Sequence, residues 1–311
     1  TIHTNQGDVV AAVRGQDGYF EISKNLIAGN GFSADAKSPF RPYSFCTPLY
    51  PFFLAGMLLA TKSYLLTIFL QIILASVIPL LGMALARKIT GSRKIVVATD
   101  FLLALEPFSI FLSTNFYTET LFTFFLLLFL LSMVRYFADG TARNAAVAAF
   151  LLGITTLIRP TVQYMPFVVL AFLGYQYRNN LRRFLKEGLI FLGIFAATIS
   201  PWLYRNYATF GVADLTALPA FTLSVNLVPT VRALANHTSF REEFDRSLAN
   251  FDERSTITPA TSRKFMRESL STLSRYPLQV VESIGITVAT FFTHDGMLTV
   301  LQSIGIGRGA R

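Results

Sequence analysis

Several things are scarce in this 311-residue chain: one cysteine, Cys46, one tryptophan, and three scattered histidines, His3, His237 and His294. A lone thiol excludes a disulfide framework, and three dispersed imidazoles make a poor start for an all-protein zinc site. Charge is scarce too, since Asp, Glu, Lys and Arg together make up 14% of the residues, where a soluble domain carries about a quarter. What fills the chain instead is apolar: 52% hydrophobic residues, with 30 Phe and 12 Tyr among its aromatics. The composition is that of an integral membrane protein, and the expected fold class is all-α, a polytopic bundle of transmembrane helices.

The net charge of +9 and pI near 9.8 raise nucleic acid as a partner, so the placement of the charges has to decide. They sit in short clusters between apolar runs, as loops at a membrane face do, and no nucleic acid is expected. A span needs about 20 apolar residues. The hydropathy pattern places spans at Ser63 to Ala86, Ile95 to Leu112, Phe116 to Val134, Ala145 to Ile158, Thr161 to Tyr177, Gly188 to Leu203 and Leu278 to Phe292. The stretch Leu49 to Ala60 precedes them as an interfacial or half-inserted helix. Three of these spans are short for lone helices in lipid and require a bundle around them.

Alternate loops hold Arg87, Lys88, Arg93 and Lys94, then Arg135 and Arg143, then Arg178, Arg182, Arg183 and Lys186, whereas the intervening short loops hold only Arg159. The positive-inside rule therefore assigns the basic loops to the cytoplasm. Residues 1 to 48, the Asn115 to Glu119 turn, Arg159 and the stretch Tyr204 to Pro277 then face the other side. Four regions follow: an external loop over 1–48, with a further span expected upstream of its polar start; a transmembrane bundle over 49–203; an external helical segment over 204–277; and a final span with a tail over 278–311. Within the third region, Thr258 and Pro259 read as cap and first residue of an amphipathic helix reaching Tyr276, and a second helix is expected from Ser239 to about Phe251.

Candidate chemistry lies on the external side. In QDGYFEISKNLIAGNGFS, residues 16 to 33, Asp17 heads a short amphipathic surface helix with Glu21 in its first turn, stopped by Gly29, Asn30 and Gly31. Asp17 is either the cap of that helix or a functional acid. Glu119 begins a very apolar helix, where the macrodipole favours a carboxylate; it too is either structural or a second acid facing the same cavity. Two such carboxylates divide base and orienting duties or hold a divalent metal. Arg159 and Arg205 are basic residues on the face where the charge bias expects none; they anchor helices or grip phosphate. Glu106 lies near mid-bilayer with Asp100 one to two turns away, and intramembrane carboxylates are usually paired or functional, as in a proton-coupled carrier. The tail GIGRG, residues 305 to 309, lacks the strand and helix that a phosphate-cradling loop requires. Asn236, His237 and Thr238 form a glycosylation sequon.

Taken in order, these strings resemble the polytopic glycosyltransferases of the C-type fold that use polyprenyl-phosphate sugars, among them protein O-mannosyltransferases and the aminoarabinose transferases of lipid A. The matching elements are Asp17 with Tyr19, GNGF at 29 to 32, Arg41 with Pro42, PLYP at 48 to 51 containing Tyr50, EPFSIFLSTNFYTETLF at 106 to 122, GITTLIRPT at 153 to 161, and PWLYRNYATFG at 201 to 211. Glu106 stands where the family more often has a neutral polar residue.

The resemblance implies an inverting transfer of a hexosyl or pentosyl group from a polyprenyl-phosphate sugar to a lipid, glycan or protein acceptor. It would take place on the periplasmic or extracellular side of what is expected to be a bacterial plasma membrane. It implies Asp17 as base and Glu119 as orienting acid, with Tyr19, Arg41, Tyr50, Arg159 and Arg205 binding substrate and no resident cofactor. Two other classes stay open on the residues alone: a carrier or flippase for a lipid-linked or polar substrate, and a non-catalytic scaffold.

Overall fold

The structure, a computed structural model, describes residues 18–249 and 258–293. These residues form helices and connecting turns with no strand among them, the all-α bundle that the composition predicts. They divide into two compact units: residues 18–40 with Thr47–Trp202, and Arg41–Cys46 with the chain from Leu203 onward.

The first unit begins with α1 (Tyr19–Ile27), which Gly18 opens and which Gly29 and Gly31, both at positive φ, bring to a stop. Only glycine enters that left-handed region cheaply, so the surface helix ends where the sequence says it should. Next come α2 (Leu49–Thr61), α3 (Tyr64–Ile89), α4 (Arg93–Ala104), α5 (Pro107–Ser113), α6 (Glu119–Asp139), α7 (Ala142–Ile158), a 3₁₀ turn at Pro160–Val162, α8 (Met165–Gln176) and α9 (Leu181–Phe210). By length and composition, α3, α6 and α9 are membrane crossings. Outward-facing Leu65, Leu102, Phe167 and Leu189 are each more than 60% exposed, an outer surface that only lipid can cover.

One expected span is broken. In place of a continuous helix from Ile95 to Leu112 there are α4 and α5, bent by 49° at the Leu105–Glu106 junction. Glu106 is not a stranded mid-bilayer acid. Its carboxylate accepts from the backbone amides of Phe108 and Ser109 at 3.0 and 2.5 Å and so caps α5, with Pro107 at the first helical position. The amides freed by the break need an acceptor in the membrane, and Glu106 supplies it.

α6 and α7 form an antiparallel hairpin closed at Gly140, where φ is 62°. The hairpin has two distinct ends. Glu119 and Arg159 lie at one; Asp139 to Thr141 lie at the other, about 30 Å away at 1.5 Å per residue. Arg135, Arg143 and Arg183 gather at the Gly140 end, where Arg183 donates to the Gly140 carbonyl at 3.3 Å. Two of the three basic loops thus meet at one end of the hairpin.

The short helix α7 survives in the bundle because it is nearly all interface. Ala145, Ala148, Ala149, Leu152, Gly153 and Thr156 recur at helical spacing and are buried against Phe129 and Met133 of α6, Val169 and Leu173 of α8, and Phe191 and Phe195 of α9. Small residues let backbones approach closely where no hydrophobic effect drives helices together. The Thr155 and Thr156 hydroxyls donate back to the carbonyls of Leu151 and Leu152, so no polar group on that face is left open.

In the second unit, the helical stretch Leu218–Asn236, expected in the external segment, is also long and apolar enough to cross a membrane by length and composition. It is made of α10 (Leu218–Thr222), a π-helical turn at Leu223–Leu227 and α11 (Val228–Asn236). α12 (Phe240–Leu248) is capped by Ser239. α13 (Pro259–Arg275) opens with a reciprocal pair of hydrogen bonds between Thr258 and Thr261, and α14 (Pro277–Thr293) follows.

Close approach is the condition on which α7 fits. A Cβ built on Gly153 would lie 2.6 Å from the Cβ of Thr198 on α9, a contact no rotamer change relieves. Gly153→Leu is therefore expected to cost roughly 1–3 kcal/mol by overpacking. A thermal-unfolding scan in detergent should show a lower midpoint than wild type, while Gly193→Ala, with open space at its Cβ position, should leave the midpoint close to wild type.

Candidate active site

At the Glu119 end of the hairpin the first unit brings together four segments that are far apart in sequence. Glu119 is the first residue of α6 and Arg159 the residue after α7, so the hairpin itself sets them face to face; Nη1 of Arg159 lies 2.5 Å from Oε1 of Glu119. About a third of each side chain is exposed, which leaves the pair open on one side. The other Glu119 oxygen accepts from the Thr118 hydroxyl at 3.4 Å, and the Arg159 guanidinium lies 5.9 Å from the Phe122 ring centroid. One guanidinium hydrogen serves Glu119. Arginine has five, in a fork that fits phosphate.

Tyr50, in the first turn of α2, is fully buried beside this pair and so supports the cluster from behind. Its ring meets that of Tyr19 edge-on at 5.1 Å, and both Tyr19 and Glu119 act electrostatically on its hydroxyl. The hydroxyl donates to Oε1 of Gln71 at 2.6 Å, and Nε2 of Gln71 donates to the carbonyls of Ser113 and Asn115 at 3.3 and 2.8 Å. Gln71 therefore fixes α3 to the turn that delivers Glu119 and to the tyrosine of PLYP. Thr47, just ahead of PLYP, donates to the carbonyl of Ile158 at 2.8 Å and so holds the start of α2 against the end of α7. Phe20 of α1 stacks on Phe116 at 6.0 Å and brings Tyr19 to the same place.

A cleft of about 490 Å³ runs from this cluster between α3, α4, α5 and α6. Ile72, Pro79, Leu80, Leu103 and Leu112 give it apolar walls; Glu119 and Thr120 stand at one part of it and Asp100 at another. The break between α4 and α5 contributes to that wall, since residues on both sides of it line the cleft.

The expected site residues do not all fall in this cluster. Tyr19, Tyr50, Glu119 and Arg159 converge. Asp17 lies outside the described residues. Arg41 and Arg205 belong to the second unit, where Arg205 donates to the Tyr43 carbonyl at 3.1 Å and to Asn206 Oδ1 at 2.8 Å, with the Phe210 ring 5.2 Å away. That makes Arg205 a clamp on the Arg41–Cys46 loop. The Thr216 hydroxyl, donating to Ser44 and Phe45 carbonyls at 3.0 and 2.6 Å, and the Ala217 amide, donating to Ser44 at 2.9 Å, hold the same loop. Nearby, Asp214 takes two hydrogen bonds from Arg263 at 3.2 and 3.3 Å, which hold that guanidinium above its usual pKa, by hydrogen bonding first and charge second. Among the described residues no three His, Cys, Asp or Glu side chains come together as a metal site.

Residues 42–204, just over half of the chain, match the family model described as dolichyl-phosphate-mannose-protein mannosyltransferase. The chain belongs to that family. It is accordingly an integral membrane glycosyltransferase of the kind that takes its sugar from a polyprenyl phosphate. The matched segment contains PLYP, the Glu119 turn and Arg159, and ends at Tyr204. No curated protein and no solved structure matches the chain.

Gln71 was not among the residues singled out in the sequence, although one glutamine inside YLLTIFLQIILASV is itself a signal that a polar partner waits in the bundle. Replacing it with leucine leaves a phenol and two carbonyls without their partner, at about 1–3 kcal/mol for each group that cannot rearrange. Gln71→Leu is expected to unfold at lower temperature. Protease accessibility of the 113–119 turn should rise with it; an unchanged cleavage pattern would argue against the anchoring role.

Proposed function

We propose that this family member transfers a single hexosyl or pentosyl group from a polyprenyl-phosphate sugar to a hydroxyl or amine of a lipid, glycan or protein acceptor on the non-cytoplasmic side. The observation that carries the reading is that Glu119 both lines the apolar cleft and pairs with Arg159. A groove suited to a prenyl chain thus ends on a carboxylate and a guanidinium with free hydrogen-bond donors. The charge asymmetry of the loops supports the side.

In this mechanism part of the prenyl chain lies along α3 and α4, and its phosphate is held by Arg159. The acceptor oxygen or nitrogen attacks the anomeric carbon from the face opposite the phosphate and forms the new bond as the bond from that carbon to the phosphate oxygen breaks. The electron pair leaves on polyprenyl phosphate, where Arg159 offsets the growing charge. Asp17 takes the proton from the acceptor. Glu119 holds the guanidinium in place and orients the acceptor, and Tyr19 offers its ring to the sugar, with the buried Tyr50 packed edge-on behind it. Arg205 acts by fixing the loop that carries Arg41, which is the loop that follows the surface helix in sequence. Inversion at the anomeric carbon follows from the single displacement.

The test uses the full chain in nanodiscs with a panel of polyprenyl-phosphate sugars and candidate acceptors, following polyprenyl phosphate by mass spectrometry. One donor should be consumed by wild type. Asp17→Asn should lower its release by about 10²–10⁴-fold, and Arg159→Ala by about 10²–10³-fold, with Arg159→Lys recovering only part because an ammonium lacks the fork. Consumption of no donor would sink the transfer reading; equal turnover by wild type and Asp17→Asn would remove Asp17 as the base.

A further inference from the structure

The cleft that begins at Glu119 also has a far end, and that end limits how much chain it can take. Along α3 its wall is one helix face, made by Ile72, Ala75, Ser76, Pro79 and Leu80 at three- and four-residue spacing. The Ile72 end lies at the level of the Glu119 turn, because Gln71 is bonded to the Ser113 and Asn115 carbonyls. From Ile72 to Leu80 the helix rises about 12 Å. Beyond Leu80 the two walls meet: a Cβ built on Gly82 would collide with the Leu103 side chain of α4 and would lie 3.7 Å from Cγ2 of Thr99. No chain passes between α3 and α4 at that level.

The far end is also polar. Asp100, one helical turn before Leu103, lines the cleft there and makes no hydrogen bond or ion pair among the described residues. Hydrocarbon laid over that carboxylate would cut it off from water and offer it no donor, which is costly. The Ser76 hydroxyl, by contrast, is satisfied by the Ile72 carbonyl at 2.9 Å and puts no such demand on an apolar neighbour. Leu80 is 53% exposed, so a chain that reaches it has open bilayer beside it. Lipid tails are as apolar as leucine, so a prenyl chain loses little by turning out into them.

Each isoprene adds four carbon–carbon bonds of about 1.5 Å to the chain, so one unit extends at most about 5 Å. Resting on the transfer reading above, we propose that the cleft reads only about the first two or three isoprene units of the lipid-linked donor. The Gly82–Leu103 contact and Asp100 end the groove, and the rest of the chain lies in the bilayer. The donor class is then set by the phosphate and the isoprenes nearest to it, and total chain length is not measured.

The experiment takes the full chain in nanodiscs and uses full-length polyprenyl phosphates that carry a diazirine in the first, third, fifth or eighth isoprene unit, with peptide mapping after photolysis. The first and third positions should label the cleft at Ile72, Leu80 and Leu103; the fifth and eighth should lose that label and mark phospholipid instead. Ala75→Phe, which fills the middle of the groove, should keep first-unit label at Ile72, a sign that the variant is folded, and lose third-unit label at Leu80 and Leu103. Unlabelled three-unit polyprenyl phosphate should suppress the first-unit label as well as the full-length compound does at equal mole fraction. Cleft label from the fifth and eighth positions as strong as from the third overturns the limit, as does several-fold weaker suppression by the three-unit compound. Third-unit label that persists at Leu80 and Leu103 in Ala75→Phe overturns the route along α3. Absence of cleft label from every position in wild type instead removes the donor from the cleft, and with it the reading on which the limit rests.

Discussion

Three hydrogen bonds of one side chain hold the Glu119 end of this bundle together. Gln71 accepts from Tyr50 and donates to the carbonyls of Ser113 and Asn115, and in a lipid-covered bundle each of those groups has no water to turn to. Through Gln71 the tyrosine of PLYP, the long helix α3 and the turn before Glu119 become one rigid piece. The Thr47 bond to Ile158 adds the start of Arg159's turn to that piece. The Glu119–Arg159 pair is then a consequence of architecture: an antiparallel hairpin of apolar helices with an acid at one mouth and a base at the other. Its third-exposed state makes it a modest source of stability, and the same openness leaves the guanidinium able to meet a phosphate.

Much of this was legible in the residues. Runs of Phe and Leu with basic residues in alternate loops define a helical membrane bundle and its two ends, and the glycines after Ile27 mark a helix end that the structure places at Gly29 and Gly31. The ordered strings from Arg41 to PWLYRNYATFG also identify the family that the model match over 42–204 shows. The break between Ala104 and Pro107 was not legible as such. An apolar run of normal length reads as one span, and Glu106 reads as a buried charge until its carboxylate is seen capping α5. The apolar stretch 218–236 was passed over because Pro219, Pro229, Asn226 and Arg232 leave it the least hydrophobic of the four candidate crossings.

Site residues divide along the same line. Of the residues singled out at the membrane boundary, the fold brings Glu119, Arg159, Tyr19 and Tyr50 together. Arg205 belongs to the other unit, where its guanidinium meets a backbone carbonyl and a neighbouring amide side chain. Gln71 shows the reverse, a satisfied polar group that ties three segments together and is visible as such only once burial and partners are known.

The central claim is that the lipid-linked donor lies in the cleft between α3, α4, α5 and α6 with its phosphate at Arg159. Photo-crosslinking with a polyprenyl phosphate carrying a diazirine in its first isoprene units, followed by peptide mapping, tests this most directly. The account predicts label on residues such as Ile72, Leu80 and Leu103, suppressed by excess unlabelled polyprenyl phosphate and weakened in Arg159→Ala. Label confined to the outer faces of other helices, or label that excess polyprenyl phosphate does not suppress, would contradict it.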